Sequence, residues 1–260
     1  MRLVRAYRVR VSEAGSEDTP LLTFFRDYLD ELDIDVDERI PPALSRTIQA
    51  TVGSAGKVRD RFSVDGWAAL KDLSATTASM QANAETDEDN GRIMSVLLRK
   101  ITGFSGLAHE NMYRFTGWRF MQIGRSIERA VATASMLAHM GARDAPEGAL
   151  DVAIEIGDSA LTHRRRFALE TTRATVAELI ALDWMNPRSI LFQAGEIDDQ
   201  VKLLPDGGLD GRAADLARAT LRLRTELATA VPQEMDFDFL ERVRTELETI
   251  SDLLAHTYLR

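Results

Sequence analysis

Gly117-Trp118-Arg119-Phe120-Met121-Gln122-Ile123-Gly124-Arg125-Ser126-Ile127-Glu128-Arg129-Ala130, running on to His139, is the stretch whose periodicity decides the fold. Set on a helix at about 100° per residue, Phe120, Ile123, Ile127, Ala130, Val131, Ala134 and Leu137 fall in one arc of roughly 120°. That arc predicts a core face. Trp118, Gln122, Arg125, Glu128 and Arg129 gather on the other side, where Glu128 is spaced to pair with Arg125 three residues earlier. The polar set reads two ways. It is either a structural network between helical layers or a binding surface, with Trp118 beside it as the wall of a groove. Glu128→Ala is expected to cost more than ~3 kcal/mol if the pair is buried and under ~1 kcal/mol if it is exposed.

The same period extends along the chain in both directions. Residues 1–12 read as the tail of a helix and 13–20 as a loop. Pro41–Pro42 opens a helix towards Phe62, and Ser63 or Asp65 caps the next, which carries Trp67, Leu70 and Leu73. A helix begins at the acidic cluster Asp87, Glu88 and Asp89, which complements the positive end of its dipole. After the break at Gly141 and Pro146, helices are predicted over 146–166, 168–183, 187–203, 208–230 and 236–258. Asn186 is the expected N-cap of the third of these, with Pro187 in its first turn. Leu240, Val243, Leu247, Ile250 and Leu254 form a stripe on the last helix, read as core, with a homo-oligomer seam as the alternative. No run alternates with a period of two. The expected fold is all-α, an antiparallel bundle of roughly eight to ten helices in a single domain over residues 1–260.

Composition narrows the function. The chain has 260 residues, no cysteine and a formal net charge of −9. Disulfides, thiolate catalysis and Cys-bound zinc are thereby excluded, and a reducing, cytoplasmic setting is expected. The acidic balance argues against nucleic acid as a partner. No window approaches the ~18 apolar residues of a membrane helix. The four histidines, His109, His139, His163 and His256, lack an acid three residues before them, so no bundle-type metal site is expected. There is no phosphate-binding glycine loop, and no cofactor is expected. The one cationic run is Arg164, Arg165 and Arg166, either a solvated face or an anion site. Its three side chains point in three directions, so at least one is expected to face inward or across an interface. Asp158 is placed to pair with Arg165 or with a neighbouring helix.

Four segments carry a family resemblance. ENMYRFTGWRFMQIGRSIERA follows the pattern ENM…GWRF-x-x-x-GR-x-x-ERA, GDSALTHRRRF is similar to DSxxTYRRRY, NPRSILFQ to NPRSxxFQL, and KVRDRFSVDGWAAL to RDRLSxxxWxxL. In this order, over about residues 40–255, they resemble the alpha-E family of helical bacterial proteins. The chain departs from that family in two ways. His163 stands where the family usually has tyrosine, and nothing here matches the family's opening helix, LYWLGRYxERAE. The opening RLVRAYRVRV looks like the residues just after such a helix, so a displaced start or the rear part of a longer or fused protein is expected. The resemblance implies an ATP-grasp protein encoded nearby or fused upstream, often with a transglutaminase-like protein, and thus a peptide or amide ligation system. On that basis the chain is read as a non-catalytic partner or substrate-positioning module. Its candidate surface is Trp118, Arg119, Arg125, Glu128, Arg129, Asp158, Arg164, Arg165, Asn186 and Arg188. Two alternatives stand beside it. One is a small enzyme with Glu128 or Glu110 as acid/base and Arg125, Arg129 or Arg165 as an anion site, and the other is a purely structural oligomeric bundle.

Overall fold

The computed structural model describes residues 20–32, 42–83, 87–168 and 171–259. The helix tail over 1–12 and all of the loop over 13–20 but its last residue lie outside the described residues, and that residue, Pro20, opens a helix instead. Among the described residues the regular structure is all helical, with eleven α-helices and no strand. It divides into two compact units between Tyr113 and Arg114.

In the first unit, α1 (Pro20–Glu31) went unpredicted, although Phe25, Tyr28 and Leu29 bury a stripe at spacings of three and four. Burial pushes the Tyr28 phenol well above its usual pKa. Helices α2 (Pro42–Gly56), α3 (Val64–Asn83) and α4 (Asp87–Asn111) pack in sequence. Their shared core is Ile48, Leu70, Leu73, Ile93, Met94 and Leu97. Ser63 caps α3 as predicted, its Oγ accepting from the N–H of Gly66 at 3.0 Å. The acidic residues that open α4 have side chains outside the description.

The second unit is organised around α5 (Thr116–Met140), which packs against α9 (Ile190–Val201) and α11 (Phe237–Tyr258). Helix α10 (Ala214–Thr229) closes the ring between α9 and α11. Every adjacent pair is antiparallel. Arg119 at the start of α5 reaches Gln200 at the end of α9, Phe120 meets Tyr258 edge-on at 5.4 Å, and Glu226 at the end of α10 pairs with Arg242 near the start of α11. The α11 stripe is core as predicted, Leu240, Val243, Leu247, Ile250 and Leu254 all being buried. Its cap is Asp236, which accepts from the N–H of Phe239 at 2.9 Å.

Several predicted helices take other bounds; that over 208–230 begins only at Ala214, and the one opened by Pro42 ends at Gly56, short of Phe62. The stretch 146–166 is two helices, α6 (Ala149–Ile156) and α7 (Ala160–Phe167). Asp158 adopts φ 53° between them, and the N–H groups of Asp158 and Ser159 bond back to Glu155 and Ile154, which stops the helix. A Cβ on Gly157 would lie 2.8 Å from Cδ1 of buried Ile180, which would have to shift to admit it. The stretch 168–183 contains α8 (Arg173–Ala177), continued as a π-turn over Glu178–Leu182. Helix α9 begins later than predicted because Ser189, not Asn186, caps it, its Oγ accepting from the N–H of Phe192 at 3.0 Å.

Candidate functional site

The α5 flank facing α9 is where most of the predicted residues were expected, and the structure sorts them. Trp118 belongs to the core rather than the surface, at 7% exposure. Packing α5 between two helices buries far more of its circumference than a one-sided amphipathic helix would. The guanidinium of Arg114 stacks on the outer face of that indole, 4.0 Å from its centre. Arg119 is tied to α9 through its bond to Gln200 Oε1 at 2.9 Å. The expected Arg125–Glu128 pair is not formed. Glu128 points outward, exposed, and makes no ion pair among the described residues. Arg125 is instead half-buried and feels the charge of Glu196 on α9, and Arg129 one turn on is half-buried as well.

Arg125 feels the charge of a second half-buried arginine, Arg188, which the turn before α9 carries. That turn is fixed by half-buried Asn186 and by buried Ser189 and Gln193. Asn186 Nδ2 donates to the Leu179 carbonyl at 2.8 Å and to Ser159 Oγ at 3.2 Å, while its Oδ1 accepts from the N–H of Arg188 at 3.0 Å. Ser189 Oγ donates to the Asp183 carbonyl at 2.6 Å, and Gln193 Nε2 to the Pro187 carbonyl at 2.7 Å. Asn186 is thus a positioning residue for Arg188 and not a helix cap. Burial, then the Arg188 charge, holds the pKa of Arg125 below the usual arginine value, with Glu196 on α9 opposing. Burial lowers that of Arg188 as well. Both remain cations at any physiological pH.

The bond between Asn186 and Ser159 joins this turn to the α6–α7 corner, which carries Asp158, Arg164 and Arg165, all exposed. Arg164 and Arg165 make no ion pair among the described residues. The arginine that crosses an interface is Arg166, at 3.1 Å from Glu178 and 2.9 Å from Asp183. His163, in the family's tyrosine position, is buried with Nε2 3.1 Å from Thr175 Oγ1. Sequence reading missed Gln200, Glu196, Ser159 and Ser189, which tie or tune the site from elements distant in the chain. It also missed fully buried Asp198, held by Lys202 at 2.6 Å and Arg224 at 2.9 Å. Of these only Ser189 left a local signal, as a serine three residues before the helical Phe192. Among the described residues no group of three acids or histidines is placed to hold a metal. No helix among them is long and apolar enough to cross a membrane.

Comparison with known proteins bears on the helical frame just described. The model of the Alpha-E family, a predicted α-helical domain with a conserved ER motif, matches residues 16–259. The chain belongs to the Alpha-E family. The Glu-Arg pair within GR-x-x-ERA is Glu128–Arg129, two adjacent positions that point about 100° apart on α5. Glu128 faces outward and Arg129 lies half-buried. Similar curated relatives are an uncharacterized protein of Mycobacterium bovis and uncharacterized proteins of two Mycobacterium tuberculosis strains. Each is 30% identical over 238 residues, which cover 86% of this chain and 26% of the relative. The chain therefore spans about a quarter of the length of these relatives. No solved structure matches it.

Proposed function

We propose that this Alpha-E chain is a non-catalytic helical module that docks an ATP-grasp-type ligase or positions its peptide substrate, within a peptide or amide ligation system. The contact surface in this reading is the α5 flank, the turn carrying Arg188 and the α6–α7 corner. The observation that carries it is half-buried Arg188 on a turn fixed by partly buried hydrogen bonds, with exposed Arg164 and Arg165 on the adjoining corner. Cationic side chains held outward by a rigid frame suit recognition of an acidic partner surface. The length of the mycobacterial relatives fits the reading, since the matched segment is about a quarter of each of them. The acid/base alternative finds no support in Glu128, which points away from the arginines it was expected to use.

The test is affinity purification of the tagged chain from its native host, with Arg125→Glu/Arg188→Glu as control. Recovery of an ATP-grasp protein with the wild type and its loss with the control is expected. Its absence from the wild type, or equal recovery by both, defeats the reading.

A further inference from the structure

We propose that the cavity between the end of α5, the start of α6 and the segment entering α8 binds a small zwitterion. The ligand is an α-amino acid or a dipeptide, its carboxylate on Arg173 and its ammonium on Asp151. The cavity lies at the opposite end of α6 from the α6–α7 corner, so the site stands whether or not the docking surface receives a ligase.

The cavity has a volume of about 470 Å³, within the range of small-molecule sites. Ala142, Ala145, Pro146 and Leu150 give it an apolar lining, and Asp151, Thr171 and Arg173 add polar groups. Gly148 turns the loop into α6 at φ 89°, a backbone that strains any other residue, and the first turn of α6 thereby shares this space with the loop.

Two opposite charges border this cavity without meeting. Each is held by contacts of its own. Asp151 Oδ1 accepts from Thr171 Oγ1 at 2.9 Å. Arg173 extends along Gly141, its Cγ and Nε 3.9 and 3.7 Å from where a Cβ would stand. Among the described residues Arg173 makes no ion pair or hydrogen bond, and the second oxygen of Asp151 has no partner. A carboxylate accepts from an ammonium and a guanidinium fork donates to a carboxylate, so one ligand carrying both charges completes both sets. Because the two groups are placed before the ligand arrives, little ordering entropy is lost on binding.

The charge balance narrows the class of ligand. Glu147 also lines the cavity, so two carboxylates stand against one guanidinium. That excess disfavours a phosphate or a dicarboxylate and favours a ligand with an ammonium group. The apolar lining favours an aliphatic side chain over a charged one, which would be stripped of water there.

The test follows the backbone amide signals of Gly141 and Gly148 by NMR in the whole chain during titration with L-leucine and separately with L-alanyl-L-leucine. Each probe is compared with its N-acetylated form, which lacks the ammonium, and with its C-terminal amide, which lacks the carboxylate. Saturable shifts with at least one zwitterion are expected, and the tighter of the two sets the spacing of the charges. Both single-charge forms should bind at least tenfold more weakly. Arg173→Gln should erase the advantage of the zwitterion over its amide, and Asp151→Asn its advantage over the N-acetylated form. Asparagine keeps an oxygen for Thr171 and Arg173 has no bond to lose, so both variants should retain the wild-type circular dichroism. The absence of saturable shifts with both zwitterions overturns the proposal. So do single-charge forms that bind the wild type as tightly, or zwitterion binding undiminished in both variants.

Discussion

The amide of Asn186 serves three neighbours, donating to Leu179 and Ser159 and accepting from Arg188. Removing a partner from a largely buried hydrogen-bonded set strands the groups it satisfied, at about 1–3 kcal/mol; Asn186 itself is half-buried while its partner Ser159 is buried. Asn186→Ala should therefore cost about 2–3 kcal/mol in chemical denaturation, more than the ~1 kcal/mol expected of Ser189→Ala, which removes only a cap and one further bond. Equal losses would return Asn186 to an ordinary capping role. Glu128→Ala should cost under ~1 kcal/mol, because that carboxylate has no ion pair among the described residues. A loss above ~3 kcal/mol would mean that it is buried and paired after all. The sequence shows that these positions are polar and near one another in the chain. It does not show that Arg188, dozens of residues downstream, comes close enough for its charge to be felt at Arg125. Nor does it show that Trp118 turns inward, because the helical wheel has no knowledge of a second flanking helix.

Helices were legible wherever an apolar stripe ran unbroken, as in α5 and α11, whose periodicity and boundaries agree with the sequence to within a few residues. The breaks were less legible. Asp158 ends α6 in a left-handed turn that an aspartate tolerates but does not announce, and α1 is short enough for its stripe to pass unnoticed. Between α10 and α11 the packing sets up a pH dependence. Burial, and then the charge of Glu226, raises the pKa of Glu246 above the usual glutamate range, against the opposing pull of Arg242 and Arg222. A carboxyl whose pKa is raised on folding binds protons more readily in the folded state, so it opposes folding above that range and not below it. Glu246→Gln should thus raise the melting temperature at pH 7 and make no difference near pH 4. A variant less stable than wild type at pH 7 would show that the arginines outweigh burial.

At the scale of the whole chain, helical periodicity gives no hint of the division between Tyr113 and Arg114, since the residues on either side are equally helix-prone. Tyr113 and Phe115 are 80% and 69% exposed in the non-helical segment between α4 and α5. Chymotrypsin should cut there first and release a fragment starting near residue 114 that keeps its helical circular dichroism. Loss of helicity on that cut would show that the second unit needs the first in order to fold. Within this unit the order of synthesis has a consequence of its own. Helix α5 is made first, yet one of its two long flanks is supplied by α11, whose last residue, Tyr258, locks against Phe120 and the Pro205 carbonyl. On the ribosome the centre of the bundle therefore waits, half clothed, until the final turn of α11 has cleared the exit tunnel, and a chain stalled before that point presents the apolar edge of α5 to the cell's chaperones.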